Sequence, residues 1–256
     1  MSKTGCLQRL PQVLLRFYWV CKARIVVPMQ FFAFSRSITG PRFALRWRDR
    51  WLCWGDATSQ TSFDRHYVFH TAWACRVLAQ SKPALHVDIS SSLYFVSNAS
   101  AFVPMEFYDY RPAQLGLAGL KCDHANLTQL HFADASVASL SCMHVVEHIG
   151  LARYGDPLDY DGDLKAIAEL RRVVASGGQL LFVVPIGGES RIQFNAHRIY
   201  TYHQVLSMFP DFDLVEFALI PDEGNQLGLV RQANEVMSDQ QHYGCGCFWL
   251  KKMVAE

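Results

Sequence analysis

The sequence predicts an α/β fold: a mostly parallel, doubly wound sheet with an antiparallel edge strand, preceded by a helical N-terminal segment. Three observations carry this expectation. Short apolar runs at 84–89, 105–110, Val137–Met143 and 179–185 alternate with segments long enough for crossover helices. The last of them, "QLLFVVP", is continuously apolar, as a strand covered on both faces must be. After the first run the chain turns through Ser90, Ser91 and Ser92, and small residues at a strand's carboxyl end are where open α/β sheets receive a ligand.

A chain of 256 residues, 50% of them hydrophobic, can bury one sizeable core beside an appendage. The formal net charge is +1, yet Lys3, Arg9, Arg16, Lys22, Arg24, Arg36, Arg42, Arg46 and Arg48 all precede the first acid, Asp49. A basic segment of 1–65 is therefore expected ahead of a mildly acidic domain of 66–256. Within the leader, Leu7, Leu10, Leu14, Phe17 and Cys21 fall at helical spacing, which predicts an amphipathic helix over 7–21. Interleaved with aromatics, that segment can dock on an anionic membrane surface or pack on its own domain. Arg16, Lys22 and Arg24 interrupt any apolar stretch that would cross a bilayer or serve as a signal-peptide core. The eight cysteines are scattered without a C-x-x-C pair, the pattern of reduced thiols in a cytoplasmic protein. Cys245 and Cys247 lack closely spaced His or Cys partners in the sequence, so no metal site is expected.

Mixed Gly, Pro, Trp and Arg over 39–64 read as an irregular connection. A helix is expected over 67–80, stopping at Ser81 and Pro83. A further helix over 163–174 shows an apolar stripe of Leu164, Ile167, Ala168, Leu170 and Val174, with Gly177 and Gly178 as its stop. Two later runs, "FDLVEFALI" and "CGCFWLKKM", read as strands that pair antiparallel at the sheet edge. The acids Asp156, Asp159, Asp161 and Asp163 lack the closing Glu of a calcium loop, which favours a solvated loop capping the next helix.

Three features point to chemistry. In "HVDISSS", Asp88 ends a strand and the three serines follow; the acid could bind a cationic ammonium, and the absence of G-x-G-x-x-G disfavours a dinucleotide. Asp109 in "EFYDYRP" follows Asp88 by 21 residues, near the offset at which a carboxylate reaches ribose hydroxyls, with Tyr110 beside it. The third is "HANLTQLHFADASVASLSCMHVVEHIG". Class I methyltransferases read similarly here, and aligning on Leu130, His131 and Phe132 places Asn126 and Leu127 against an adenine, with Asp123 and His124 as neighbouring alternatives. His144 and His148 flank the end of the strand, the second directly after Glu147. Both are candidate proton carriers, and His144 is also a candidate cofactor contact. The segment "FNAHRIYTYHQ" offers His197 as a third base and Asn195, Arg198, Tyr200 and Tyr202 as acceptor contacts, joined by Arg153 and Tyr154. The alternative for His197 and Arg198 is the solvent face of a helix start.

From about residue 62 to 252 the chain resembles a family of uncharacterised bacterial methyltransferase-like proteins, a domain of unknown function found among surface-polysaccharide genes. The resemblance is carried by "SFDRHYVFHTAW", "HVDISSSLYF", "FYDYRP", "SCMHVVEHIGLARYGDP", "DGDLKAIAELRRV", "NAHRIYTY" and "YGCGCFWLKK". It implies a Rossmann-like class I methyltransferase fold, S-adenosylmethionine as cofactor, and O-methylation of a sugar or glycan intermediate at the inner face of a membrane. The alternative is a methyltransferase-like scaffold without catalysis, binding a partner in glycan assembly. A nucleic-acid acceptor is disfavoured by the near-neutral charge and the acidic body.

Overall fold

The longest apolar run becomes the longest strand. Val174–Ile186 forms β5, whose side chains alternate between two separate cores: Leu180, Phe182 and Val184 face one, and Leu181 and Val183 the other. The computed structural model describes residues 12–40, 42–53, 56–222 and 228–254. The chain divides into two compact units, Met1–Ser62 and Phe63–Glu256.

In the second unit, β1 (His86–Ile89), β2 (Met105–Asp109), β3 (Leu120–His124), β4 (Val137–Met143) and β5 run parallel, and β8 (Phe212–Ile220) and β9 (Gly244–Lys252) complete a sheet ordered β3-β2-β1-β4-β5-β9-β8. The order reverses between β1 and β4, which opens a crevice at the carboxyl ends of those strands. β9 pairs antiparallel with both β5 and β8. The antiparallel strand therefore lies inside the sheet, and β8 rather than β9 is the edge. The wholly buried Cys245, Cys247 and Phe248 fit that inner position, while β8 is exposed at Asp213 and Val215 and covered on both faces only over its last four residues.

Helices cover both faces. On one, α2 (Arg65–Ser81) and α3 (Leu93–Ala99) bury Trp73, Val77, Leu78, Phe95 and Val96 against Met105, Phe107, Cys245 and Cys247. On the other, α4 (Gly162–Val173) and α5 (Tyr202–Met208) bury Ile167, Leu170 and Val205 against Phe182 and Phe248. Asp64 caps α2 by accepting the Tyr67 N–H at 3.1 Å, and a Thr201/Gln204 capping box starts α5. The buried side of α4 is Asp163, Ala166, Ile167, Leu170 and Val173, so Leu164 and Ala168 face solvent, contrary to the expected stripe. Its end is also earlier than the glycines, because Val174 turns directly into β5. A short hairpin of β6 (Arg191–Gln193) and β7 (His197–Ile199) and the helix α6 (Glu235–Asp239) complete the unit.

In the first unit α1 spans Gln12–Arg36 and a 3-10 turn spans Trp47–Asp49. The expected helix over 7–21 lies partly outside the described residues; from Gln12 onward the chain is helical. No helix among the described residues is long and apolar enough to cross a membrane.

Candidate active site

At the carboxyl end of β1, Ser90 takes a left-handed backbone (φ 59°), with its N–H donated to the Tyr108 carbonyl at 2.8 Å. This is the conformation a glycine adopts without strain, reached here by a serine. Asp88 does not open onto the crevice. Fully buried, its carboxylate accepts the Ser91 N–H at 3.0 Å and the Ser141 hydroxyl. The acid thus holds the serine turn in place and is not free to bind an ammonium. Ser91 in turn accepts the Met143 N–H at 3.0 Å, which ties the turn to the end of β4.

The crevice is a cavity of about 450 Å³. Ser90, Ser91 and Ser92 line it beside Asp109 and Tyr110 from the end of β2, Asn126 and Leu127 from the loop after β3, and His144. Asp109 accepts the Arg111 N–H at 2.7 Å through one carboxylate oxygen. Asn126 uses its carbonyl oxygen on Thr128, which leaves the amide nitrogen of its side chain to donate. The volume of the cavity suits a nucleoside-sized ligand.

A second cavity, about 860 Å³, adjoins the first, and Tyr67, His144 and His148 line both. His144 follows β4 directly, and a 3-10 turn at Val146–His148 presents the second imidazole to this wall. His144 Nδ1 lies 2.8 Å from Glu147 Oε1, and His144 Nε2 lies 3.3 Å from Cys245 Sγ. Burial lowers His144 to about 4 and pushes the fully buried Glu147 up to about 7. Glu147 Oε2 has no hydrogen-bond partner. His148 donates from Nδ1 to the Ala196 carbonyl at 2.6 Å, which leaves Nε2 as the acceptor nitrogen, with Arg153 Nη1 3.5 Å from it. Burial lowers its pKa, so it is a neutral base near neutrality. His197 stacks on Tyr243 at 5.1 Å and, with Asn195 and Arg153, completes the far wall.

Three expected acceptor contacts lie elsewhere. Because β7 is a strand and not a helix start, Arg198 points away from its neighbour His197: it is buried, donating to the Ile149 and Tyr160 carbonyls. Tyr200 is buried with its hydroxyl on Asp163 at 2.9 Å. Tyr202, partly buried, packs against the core on Phe217 and Phe248. Tyr154 lines the smaller cavity, under the guanidinium of Arg153. Sequence reasoning passed over His66, Tyr67, Tyr243 and Asp222, all of which line the larger cavity. One signal existed: His66 and His70 stand four apart, one face of a helix.

The sequence family described as "Caenorhabditis protein of unknown function, DUF268" matches residues 120–249. No curated protein matches the chain in sequence. Among solved structures, the Burkholderia thailandensis 1,6-didemethyltoxoflavin-N1-methyltransferase, crystallised with 1,6-didemethyltoxoflavin and S-adenosylhomocysteine, superposes with a TM-score of 0.52 at 10% identity, over 72% of this chain and 78% of that one. The YcgJ protein of Bacillus subtilis gives 0.49 at 12% identity over 73% and 98%. The N-methyltransferase NodS of Bradyrhizobium japonicum, in complex with S-adenosylhomocysteine, gives 0.46 at 14% over 72% and 85%. Strand order together with the first of these likenesses makes the fold Rossmann-like, of the class I methyltransferase kind.

Proposed function

The chain belongs to the family described as a Caenorhabditis protein of unknown function, DUF268, and from that premise we propose that it is a methyltransferase transferring a methyl group from S-adenosylmethionine to a hydroxyl of a sugar or glycan intermediate. One observation carries this reading: two cavities, one suited to a nucleoside and one lined by imidazoles, share the wall of Tyr67, His144 and His148. That is the arrangement a two-substrate group transfer needs.

S-Adenosylmethionine, when bound, supplies a methyl group already activated on a sulfonium. Asp109 would accept from the ribose hydroxyls, and Asn126 would meet the adenine edge. The serine turn, fixed from below by Asp88, brings backbone close to the nucleoside. With the methyl group already activated, the residues of the second cavity mainly align the acceptor and exclude water. His148 would take the proton of the acceptor hydroxyl at Nε2, and Glu147 would stabilise the imidazolium that results. Glu147 Oε1 lies 3.8 Å from that nitrogen.

The glycan acceptor draws support from the lining of the larger cavity, which mixes Asp64, Asp222 and Arg153 with aromatic rings suited to a polyhydroxylated molecule. The nine basic residues ahead of the first acid support a peripheral position on the anionic inner face of a membrane.

Calorimetry with S-adenosylhomocysteine tests the cofactor: the chain should bind at micromolar levels, and Asp109→Ala should abolish the heat. Transfer of radiolabelled methyl to lipid-linked or nucleotide sugars tests the acceptor, and no label in any glycan fraction sinks that part. His148→Gln should bind S-adenosylhomocysteine normally yet transfer about 10²- to 10⁴-fold more slowly.

A further inference from the structure

Cys245, read from the sequence as a cysteine without metal-binding neighbours, has them in space. His66 at the first turn of α2, His144 just past β4 and Cys245 near the start of β9 each place one ligand atom within 4.8 Å of the others. We propose that these three residues bind a single divalent transition ion of the zinc type, a site independent of whether the neighbouring cavity takes S-adenosylmethionine.

The donor set is the first argument. Two imidazole nitrogens and a thiolate are the ligands that zinc prefers over calcium or magnesium. In a tetrahedral zinc site, bond lengths of about 2.3 Å to sulfur and about 2.0 Å to nitrogen put N and S about 3.5 Å apart. His144 Nε2 and Cys245 Sγ stand 3.3 Å apart, and the partly exposed His66 can close the remaining gap by side-chain rotation.

The second argument is the surrounding shell. A metal-bound imidazole usually gives its other N–H to a carboxylate, which orients the ring and makes it a better donor. His144 does this, with Nδ1 held by the buried Glu147 at 2.8 Å. Two polar atoms in the same cluster have no partner: Glu147 Oε2 and the Nε2 of His70, whose ring centre is 5.0 Å from that of His144. His70, 0% exposed, is anchored by Nδ1 to the His66 carbonyl at 2.7 Å and keeps its buried Nε2 without a hydrogen-bond partner beside the cluster.

No fourth donor among the described residues joins the three. Structural zinc sites close their shell with four protein ligands, whereas three leave a position for an exchangeable ligand. Because His66 and His144 line the larger cavity, that position would take an anionic oxygen or sulfur of a molecule held there, a hydroxide, alkoxide or thiolate.

The test uses the full chain, stripped with a chelator and titrated with Zn²⁺ against a chromogenic competitor, then with Co²⁺ followed by absorbance. One ion per chain is expected, with a thiolate-to-cobalt charge-transfer band in the near ultraviolet. Cys245→Ser should remove the band, His66→Ala should weaken Zn²⁺ binding at least tenfold, and Glu147→Gln should weaken it about 10- to 100-fold. Circular dichroism confirms that each variant folds; His66 sits at a partly exposed helix start, so its variant carries the test if the buried ones fail to fold. Absence of binding to the folded wild-type chain overturns the assignment, as does an affinity that His66→Ala leaves unchanged.

Discussion

Asp88→Asn tests whether a buried carboxylate under the serine turn is held at a cost. Asp88 has no exposed surface and receives two hydrogen bonds, from Ser91 and Ser141, but no cation. Burial raises its pKa from 3.8 to about 6, the two serines pull it back, and the negative charge of Asp109 adds to the rise. A difference of about 2 units corresponds to about 3 kcal/mol. The folded state holds the proton more tightly than the unfolded chain. Stability from this group is therefore intact below pH 3.8, is lost as the pH climbs toward 6, and above that the whole cost is in place. His86, which shares Ser141 with Asp88, works in the opposite direction: burial lowers it to about 3, so its contribution to stability grows with pH between about 3 and 6.5. The wild-type profile thus conceals both. Substituting Asp88 by asparagine keeps the size and an acceptor for the Ser91 N–H while deleting one of the two titrations. Relative to wild type, the variant should gain about 1.5 kcal/mol in unfolding free energy between pH 5 and pH 8. Urea unfolding followed by circular dichroism at the two pH values measures the gap, and a gap that is constant or shrinks with pH refutes the reasoning.

Gly150 sits at φ 80°, and a Cβ there would collide with the Asp159 carbonyl; Gly150→Ala should cost at least about 2 kcal/mol and lower Tm by roughly 4–8 °C in a thermal melt. Ser90→Gly should raise Tm slightly, gaining up to about 1 kcal/mol from relief of the left-handed serine, with S-adenosylhomocysteine affinity retained; a lower Tm would mean that the hydroxyl contact to Tyr108 outweighs the strain. Phe248, fully buried between β5 and β8, should cost about 3–5 kcal/mol on truncation to alanine, read from the urea midpoint.

The central sheet was legible because burial on both faces leaves an unambiguous signature. β4 and β5 carry long apolar runs, which water would penalise anywhere but in the covered middle of a sheet. β3 was not legible. Only Leu120 of its five residues is buried, so an edge strand with polar outward faces reads as loop. The smaller cavity could be assembled from strand ends, since the topology dictates which ends meet. Arg198 was misplaced because its segment starts as a strand and not a helix, which turns it away from His197, whereas Tyr200 and Tyr202 lie beyond that strand, against Asp163 and at the start of α5. The thiol–imidazole cluster was out of reach: His66 and Cys245 lie 179 residues apart, and only the docking of α2 over the sheet joins them.

The inner position of β9 has a consequence for how the protein is made. β5 and β8 have no bond to each other, so each presents an open row of amides and carbonyls until β9, which leaves the ribosome after both, slides between them. Half-made chains therefore expose a sticky, β-branched seam. Cells producing this protein in quantity would need to shield that seam during synthesis, and slower translation ahead of Gly244 would lengthen the interval of risk.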